Sequence, residues 1–181
     1  MRKVVVYTLL SIDGVAEAPE TFVLDFDEEM AANLAETIEA QDVVLLGRVM
    51  FDEWARYWPS SDDQPFADFI NGVQKYVATS QPLSNSWTKA AAIERPVVDF
   101  VRDLKSGVGA DIGVHGSITL ARSLLTAGLV DELRLVVAPA VVGPGRRLFD
   151  SDTAGSRLKL MNSAGTPSDT LLLHYRVLSP S

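Results

Sequence analysis

The sequence has no cysteine, only two histidines and no apolar run of membrane-spanning length. The first absence excludes disulfide frameworks, thiolate metal sites and thiol nucleophiles. His174 is a lone histidine with no acidic or histidine partner at ligand spacing, and no metal site is expected. A spanning helix needs roughly 18 or more consecutive apolar residues. Arg2-Lys3, then Val4 to Leu10, then Ala16-Glu17-Ala18 imitates a secretory leader, but the apolar part is short and Asp13 follows it. It reads as a first buried strand, and a cytoplasmic protein is expected. Positive charge is also scarce: 16 Lys and Arg against 24 Asp and Glu give a net charge of −8, with only Arg2-Lys3 and Arg146-Arg147 adjacent. Nucleic-acid binding needs clustered cations and is not expected. No repeat or low-complexity segment is visible. At 181 residues, 47% apolar and 22% charged, the chain is expected to form one domain over 1–181 with a substantial core.

Lys3 to Leu10 is apolar without clear alternation, as suits a central strand covered on both faces. It ends in Ser11-Ile12-Asp13-Gly14. A loop leaving the end of a central strand is a common place for function, so Asp13 is either a substrate or proton-handling carboxylate or the pivot of an Asx turn. Asp27 to Gln41 reads as an amphipathic helix through Met30, Leu34 and Ile38, with an acidic start that suits the helix dipole without any metal. Asp42 to Leu46 is a second strand. It runs through Gly47-Arg48 into a short helix carrying Phe51, Trp54 and Ala55 inward. Arg48 is either a phosphate ligand or half of a surface ion pair. Trp54 and Trp58 either wall a pocket for a flat ring or simply pack. Tyr57 to Pro65 is expected as loop and Phe66 to Val73 as a short helix. Lys75 to Ser80 and Thr88 to Ile93 are expected as strands, with Thr79 and Ser80 placed to hydrogen-bond a ligand, and a helix opens at Pro96 and stops at Gly107. Arg157 to Thr166 and Thr170 to Leu178 form an antiparallel edge hairpin with His174 on a strand face, and Ser179 to Ser181 are expected to fray.

The stretch from Asp111 to Phe149 organises the rest. A strand through Ile112 and Val114 reaches His115-Gly116-Ser117, a helix carries Leu120, Leu124 and Leu125 on one face, and Gly128 stops it. A further strand, Asp131 to Val137, ends in a loop holding Gly143, Pro144 and Gly145. Glycine at a strand-to-helix turn allows close approach to the backbone, and the first free N–H groups of the helix favour an anion, usually phosphate. Gly-Ser is also an ordinary helix start. The turn at Gly47 is a second such junction, and two at the carboxyl ends of parallel strands would frame one crevice.

Several motifs together resemble the dihydrofolate-reductase-like superfamily, in the branch of the RibD C-terminal (riboflavin biosynthesis reductase) domain and its stand-alone bacterial members. The carriers are Ser11 to Gly14 with Glu17 to Glu20, Leu46-Gly47-Arg48 through Trp58-Pro59, Tyr76 to Ser80, and above all Val114 to Phe149. The resemblance implies an α/β fold in three layers: a mostly parallel mixed sheet, helices on both faces and a C-terminal antiparallel hairpin. It further implies an NADPH-dependent reductase (NADH possible) similar to 5-amino-6-(5-phosphoribosylamino)uracil reductases, acting by hydride transfer to a C=N or C=O, and a homodimer. By the same likeness Gly47, Arg48, Gly116, Ser117, Ile118 and Thr119 would hold the cofactor phosphates, with His115 a possible further donor. Thr79 and Ser80 would lie beside the adenosine ribose. Asp13, as the candidate catalytic group, and Gly14, Trp54 and Trp58 would line the substrate side, beneath a lid running from Gly14 to Phe22. Met50 stands where the family often has a hydroxyl and Gln81 where it often has arginine. Neither Met30 nor Ala31 supplies the helix carboxylate that folate reduction would need. Two other readings remain open: a nucleotide-binding module without catalysis, and a reductase of an unrelated pterin-like or xenobiotic ring.

Overall fold

Seven of the eight residues of Val4–Ser11 (β1) are buried, and strands that dense in Val and Leu are stable only with both faces covered. In the computed structural model, which describes residues 1–151 and 155–178, β1 is the fifth strand of an eight-stranded sheet. The expectation for Ser179 to Ser181 lies outside the described residues. The remaining strands are Gln41–Gly47 (β2), Gln74–Ala78 (β3), Ala90–Ala92 (β4), Asp111–His115 (β5), Glu132–Ala138 (β6), Arg157–Gly165 (β7) and Leu171–Leu178 (β8). Their order is β4-β3-β2-β5-β1-β6-β8-β7. The pairings from β4 across to β6 are all parallel, and β8 and β7 complete the sheet as the expected antiparallel hairpin.

Alternation along the central strands divides the core in two. Val4, Val6, Val43 and Leu45 face one side and pack with Val101, Leu124 and Leu148. That side is covered by Val97–Ser106 (α4) and Ile118–Thr126 (α5). Tyr7, Val44 and Leu46 face the other and pack with Met30, Phe51 and Ile70. These come from Glu28–Glu39 (α1), Arg48–Tyr57 (α2) and Phe66–Gly72 (α3). Asp27 caps α1 through the Met30 N–H at 2.9 Å and also accepts from the Ser168 hydroxyl at 2.7 Å, which ties the hairpin turn to the helix. Its acidity thus has a structural role, and no group of three or more metal-ligating side chains occurs among the described residues. Nor is any described helix long and apolar enough to cross a membrane.

His174 does have an acidic neighbour: its Nε2 lies 2.9 Å from Glu132 Oε2 on the adjacent strand. Sequence spacing hid this because the two residues meet only through the antiparallel β6–β8 register.

Candidate active site

Strands β1, β2 and β5 are parallel neighbours, so their C-terminal ends share one edge of the sheet. The two glycine turns therefore meet there. The Gly47 N–H donates to Ser117 Oγ at 2.9 Å, joining the starts of α2 and α5 directly. Ser117 consequently makes no side-chain cap to its own helix. The backbone N–H groups of Ile118 and Thr119 find no acceptor among the described residues, as expected for the first turn of a helix. Gly116 sits at φ +63° with Met50 and Trp54 packed against it, so that a Cβ there would lie 3.0 Å from Met50 Cε and 3.3 Å from Trp54 Cζ2.

A cavity of about 880 Å³ opens beside these turns. Its floor includes Tyr7 and His115, and Ile118 lies at the α5 end. Trp54, Trp58 and Phe66 build an aromatic wall, with Trp54–Phe66 centroids 5.4 Å apart and Trp58–Phe66 4.9 Å apart. Both tryptophans singled out from the sequence thus line the cavity.

Other expected residues lie elsewhere or are already engaged. Arg48 is saturated by the protein: Nε donates to Asp52 at 2.6 Å, Nη1 to Thr79 Oγ1 and the Pro82 carbonyl, and Nη2 to Ser84 Oγ. The ion-pair reading of Arg48 is the one the geometry shows, and a carboxylate four residues downstream on a helix was its visible signal. Thr79 is occupied by the same network, while Ser80 is exposed.

His115 is only 2% exposed, and its ring folds back over Gly113. Nε2 donates to Gln41 Oε1 at 2.8 Å, and the ring packs against Tyr7, Phe66 and Phe69. A Cβ at position 113 would lie 2.8 Å from His115 Nε2, so glycine is required there. Burial pushes the imidazole pKa down to about 3, so the ring is neutral at pH 7. It serves as a wall and not as the phosphate donor expected of it.

Asp13 is not among the cavity-lining residues. Its carboxylate accepts from Ser11 Oγ at 2.7 Å and from the backbone N–H groups of Val142 and Gly143 at 3.1 and 2.8 Å. The Ser11 hydroxyl bond, then the two amides, hold its pKa well below the ordinary carboxylate range. A carboxylate so engaged stays ionised and has no proton to donate. Together with Gly14, whose carbonyl accepts from the Leu148 N–H at 3.2 Å, it fastens the loop after β1 to the loop after β6. Ala16 and Glu17 continue the seam through the Arg146 carbonyl, so the start of the expected lid is tied down. Removing a general acid typically lowers turnover 10²–10⁴-fold, by order of magnitude. Asp13→Asn is expected to lower it by less than about tenfold while reducing the melting temperature. Steady-state rates and thermal unfolding of one preparation check both.

Several lining residues carried no sequence signal: Tyr7, Glu53, Phe66 and Arg146 reach the cavity only through strand order and loop placement.

The RibD C-terminal domain family model matches residues 2–172. The uncharacterized protein YyaP of Bacillus subtilis (strain 168) is 28% identical over 182 residues, covering 96% of this chain and 94% of its own length. A Shewanella sp. PV-4 protein assigned to riboflavin biosynthesis superposes with a TM-score of 0.77 at 15% identity, over 98% of this chain and 99% of that one. Schistosoma mansoni dihydrofolate reductase superposes with a TM-score of 0.63 at 12% identity, over 98% and 99%. These likenesses, at such low identity, establish the fold. The match over residues 2–172 establishes more: the chain belongs to the RibD C-terminal domain family and has the dihydrofolate-reductase-like fold.

Proposed function

We propose that the protein is an NAD(P)H-dependent reductase of small heterocyclic substrates. The observation that carries this reading is the pairing of two helix starts at the carboxyl edge of the sheet, with the free α5 amides beside an aromatic cavity of about 880 Å³. Unpaired first-turn N–H groups and a glycine that leaves the backbone open fit a dinucleotide diphosphate. Gly116, Ile118 and Thr119 would hold it through their backbone, with Gly47 and Ser117 fixing the two turns relative to each other. Arg48 would contribute only after exchanging Asp52 or a carbonyl for phosphate, and Thr79 and Ser80 would border the adenosine side. NADPH is the expected donor and NADH a possible one, because Gln81 offers no cation to a 2′-phosphate. When bound, the reduced nicotinamide supplies a hydride to a C=N or C=O. The chain's own part is to align the acceptor ring against Trp54 and Trp58 and to exclude water.

Titration with NADPH and NADH, followed by quenching of Trp54 and Trp58, tests the binding half. Loss of reduced-nicotinamide absorbance with a pyrimidine aminoribose phosphate, with dihydrofolate and with other heterocycles tests turnover. Saturable quenching with turnover of an acceptor supports the reading, and no quenching by either nucleotide ends it. Binding without turnover would favour the non-catalytic module.

A homodimer is part of the same proposal. β7 is exposed along its whole length and carries Leu158, Leu160 and Met161, which are 38%, 50% and 41% exposed. A long apolar edge strand is an open template for pairing with another chain. Light scattering after gel filtration should give twice the monomer mass for the wild type and the monomer mass for Leu160→Glu.

A further inference from the structure

The cavity's charge is at odds with a phosphorylated acceptor. Five lining carboxylates, Glu17, Glu20, Glu53, Asp62 and Asp63, face one lining guanidinium, Arg146. That cation is already bound, since its Nε donates to Glu17 Oε1 at 2.8 Å and its backbone N–H to Glu17 Oε2 at 3.1 Å. Asp63 accepts from the Tyr57 hydroxyl at 2.5 Å and from Ser61 at 3.1 Å. Glu20, Glu53 and Asp62 have no hydrogen-bond partner among the described residues, and neither do two polar atoms of the wall residues, Tyr7 Oη and Trp58 Nε1. His115, being neutral, adds no positive charge. The α5 amides are the groups able to bind phosphate here, and in the proposed reaction they belong to the cofactor. A second phosphate, on the acceptor, would meet four uncompensated negative charges and no free cation among the lining residues.

We infer that the acceptor is a flat nitrogen heterocycle that carries positive charge and no phosphate, held between the aromatic wall of Trp54, Trp58 and Phe66 and the carboxylates of Glu20, Glu53 and Asp62. This rests on the reductase reading of the site. Aromatic faces attract cations, and nearby carboxylates favour the protonated form of a ring nitrogen. The charge also fits the chemistry. A protonated C=N accepts hydride at carbon, and its π pair moves to the nitrogen that already holds the proton. The product is a neutral amine, with both electrons drawn from the reduced nicotinamide. No side-chain acid is needed, which matches the engaged state of Asp13.

The test uses matched probes on the intact protein: 9-aminoacridine against acridine-9-carboxylate, and riboflavin against its 5′-phosphate, each titrated by fluorescence with and without saturating NADPH. The cation should bind at least about tenfold tighter than the carboxylate, and the preference should shrink in high salt. Riboflavin should bind tighter than its phosphate. Glu20→Gln/Glu53→Gln/Asp62→Asn changes three exposed side chains, and it should reduce the cation preference to within about twofold. Equal or reversed preference in the wild type would overturn the inference, as would an undiminished preference in the triple variant. So would efficient turnover of a pyrimidine aminoribose phosphate. NADPH binding without cation preference would overturn this inference and leave the reductase standing. Cation preference without NADPH binding would end the reductase reading, and with it the acceptor role inferred here, leaving only a cation-binding cavity.

Discussion

Gly116→Val is expected to weaken NADPH binding by about 100-fold, equivalent to about 2.7 kcal/mol, while the protein remains folded. Two effects combine. The residue sits at φ +63°, where a β-branched side chain is strained by about 1–3 kcal/mol. The new Cβ would stand 3.0 Å from Met50 Cε, with two further methyl groups directed into space now bounded by Met50 and Trp54. Relief of either clash re-aims the peptide leading into α5, whose free amides are the proposed diphosphate ligands. Equilibrium titration of wild type and variant, with circular dichroism as the folding control, gives the answer. Unchanged affinity would remove the α5 turn from the cofactor site.

The second large effect is on stability. Lowering the pH from 7 to about 5 is expected to destabilise the wild type by about 2 kcal/mol, from a reference histidine pKa of about 6.5 in the unfolded chain. In the native protein burial holds the His115 pKa down to about 3. Below about pH 6.5 the unfolded chain therefore takes up a proton that the native state refuses. The contribution is present in full above that pH, shrinks as pH falls, and is gone at about 3. Asp13, Asp27, Glu17 and Glu132 also have lowered pKa values, but losses from carboxylates begin only near their unfolded values of about 3.9 for Asp and about 4.3 for Glu. The interval from about pH 6.5 to 5 thus separates the imidazole from the carboxylates. Urea unfolding at several pH values should show this slope in the wild type and a nearly flat line in His115→Gln. A slope retained in the variant would place the proton uptake elsewhere.

The sequence announced the fold through features that act locally or repeat along the chain. The dense apolar run of β1 and the Met30-Leu34-Ile38 stripe of α1 state their burial in their own residues, and the turn between β7 and β8 marks the hairpin. The two glycine turns were equally legible, since a strand, a glycine and a helix form one contiguous signal. Side-chain commitments were not. Asp13 became a staple because Val142 and Gly143 arrive from a loop about 130 residues later, and Arg48 was spent on its own helix and on residues 79–84. His115 could not reveal its fold-back because the space for it depends on Gln41 and Gly113 lying on adjacent strands. The acidic rim is assembled from three separate segments, around residues 17–20, 53 and 62–63, and no window of sequence contains it.

The bond from the Gly47 amide to the Ser117 hydroxyl makes one strut of two helices. One of the two presents the α5 amides, and the other carries Met50, Glu53 and Trp54 along α2 into the lining of the chamber, with Met50 and Trp54 packed against Gly116. A shift in the first turn of α5 would therefore press on the indole of Trp54 through the packed Gly116 turn. Occupancy at the donor end would be felt at the acceptor end, and the protein carries its own reporter of that coupling in the tryptophan it uses as a wall.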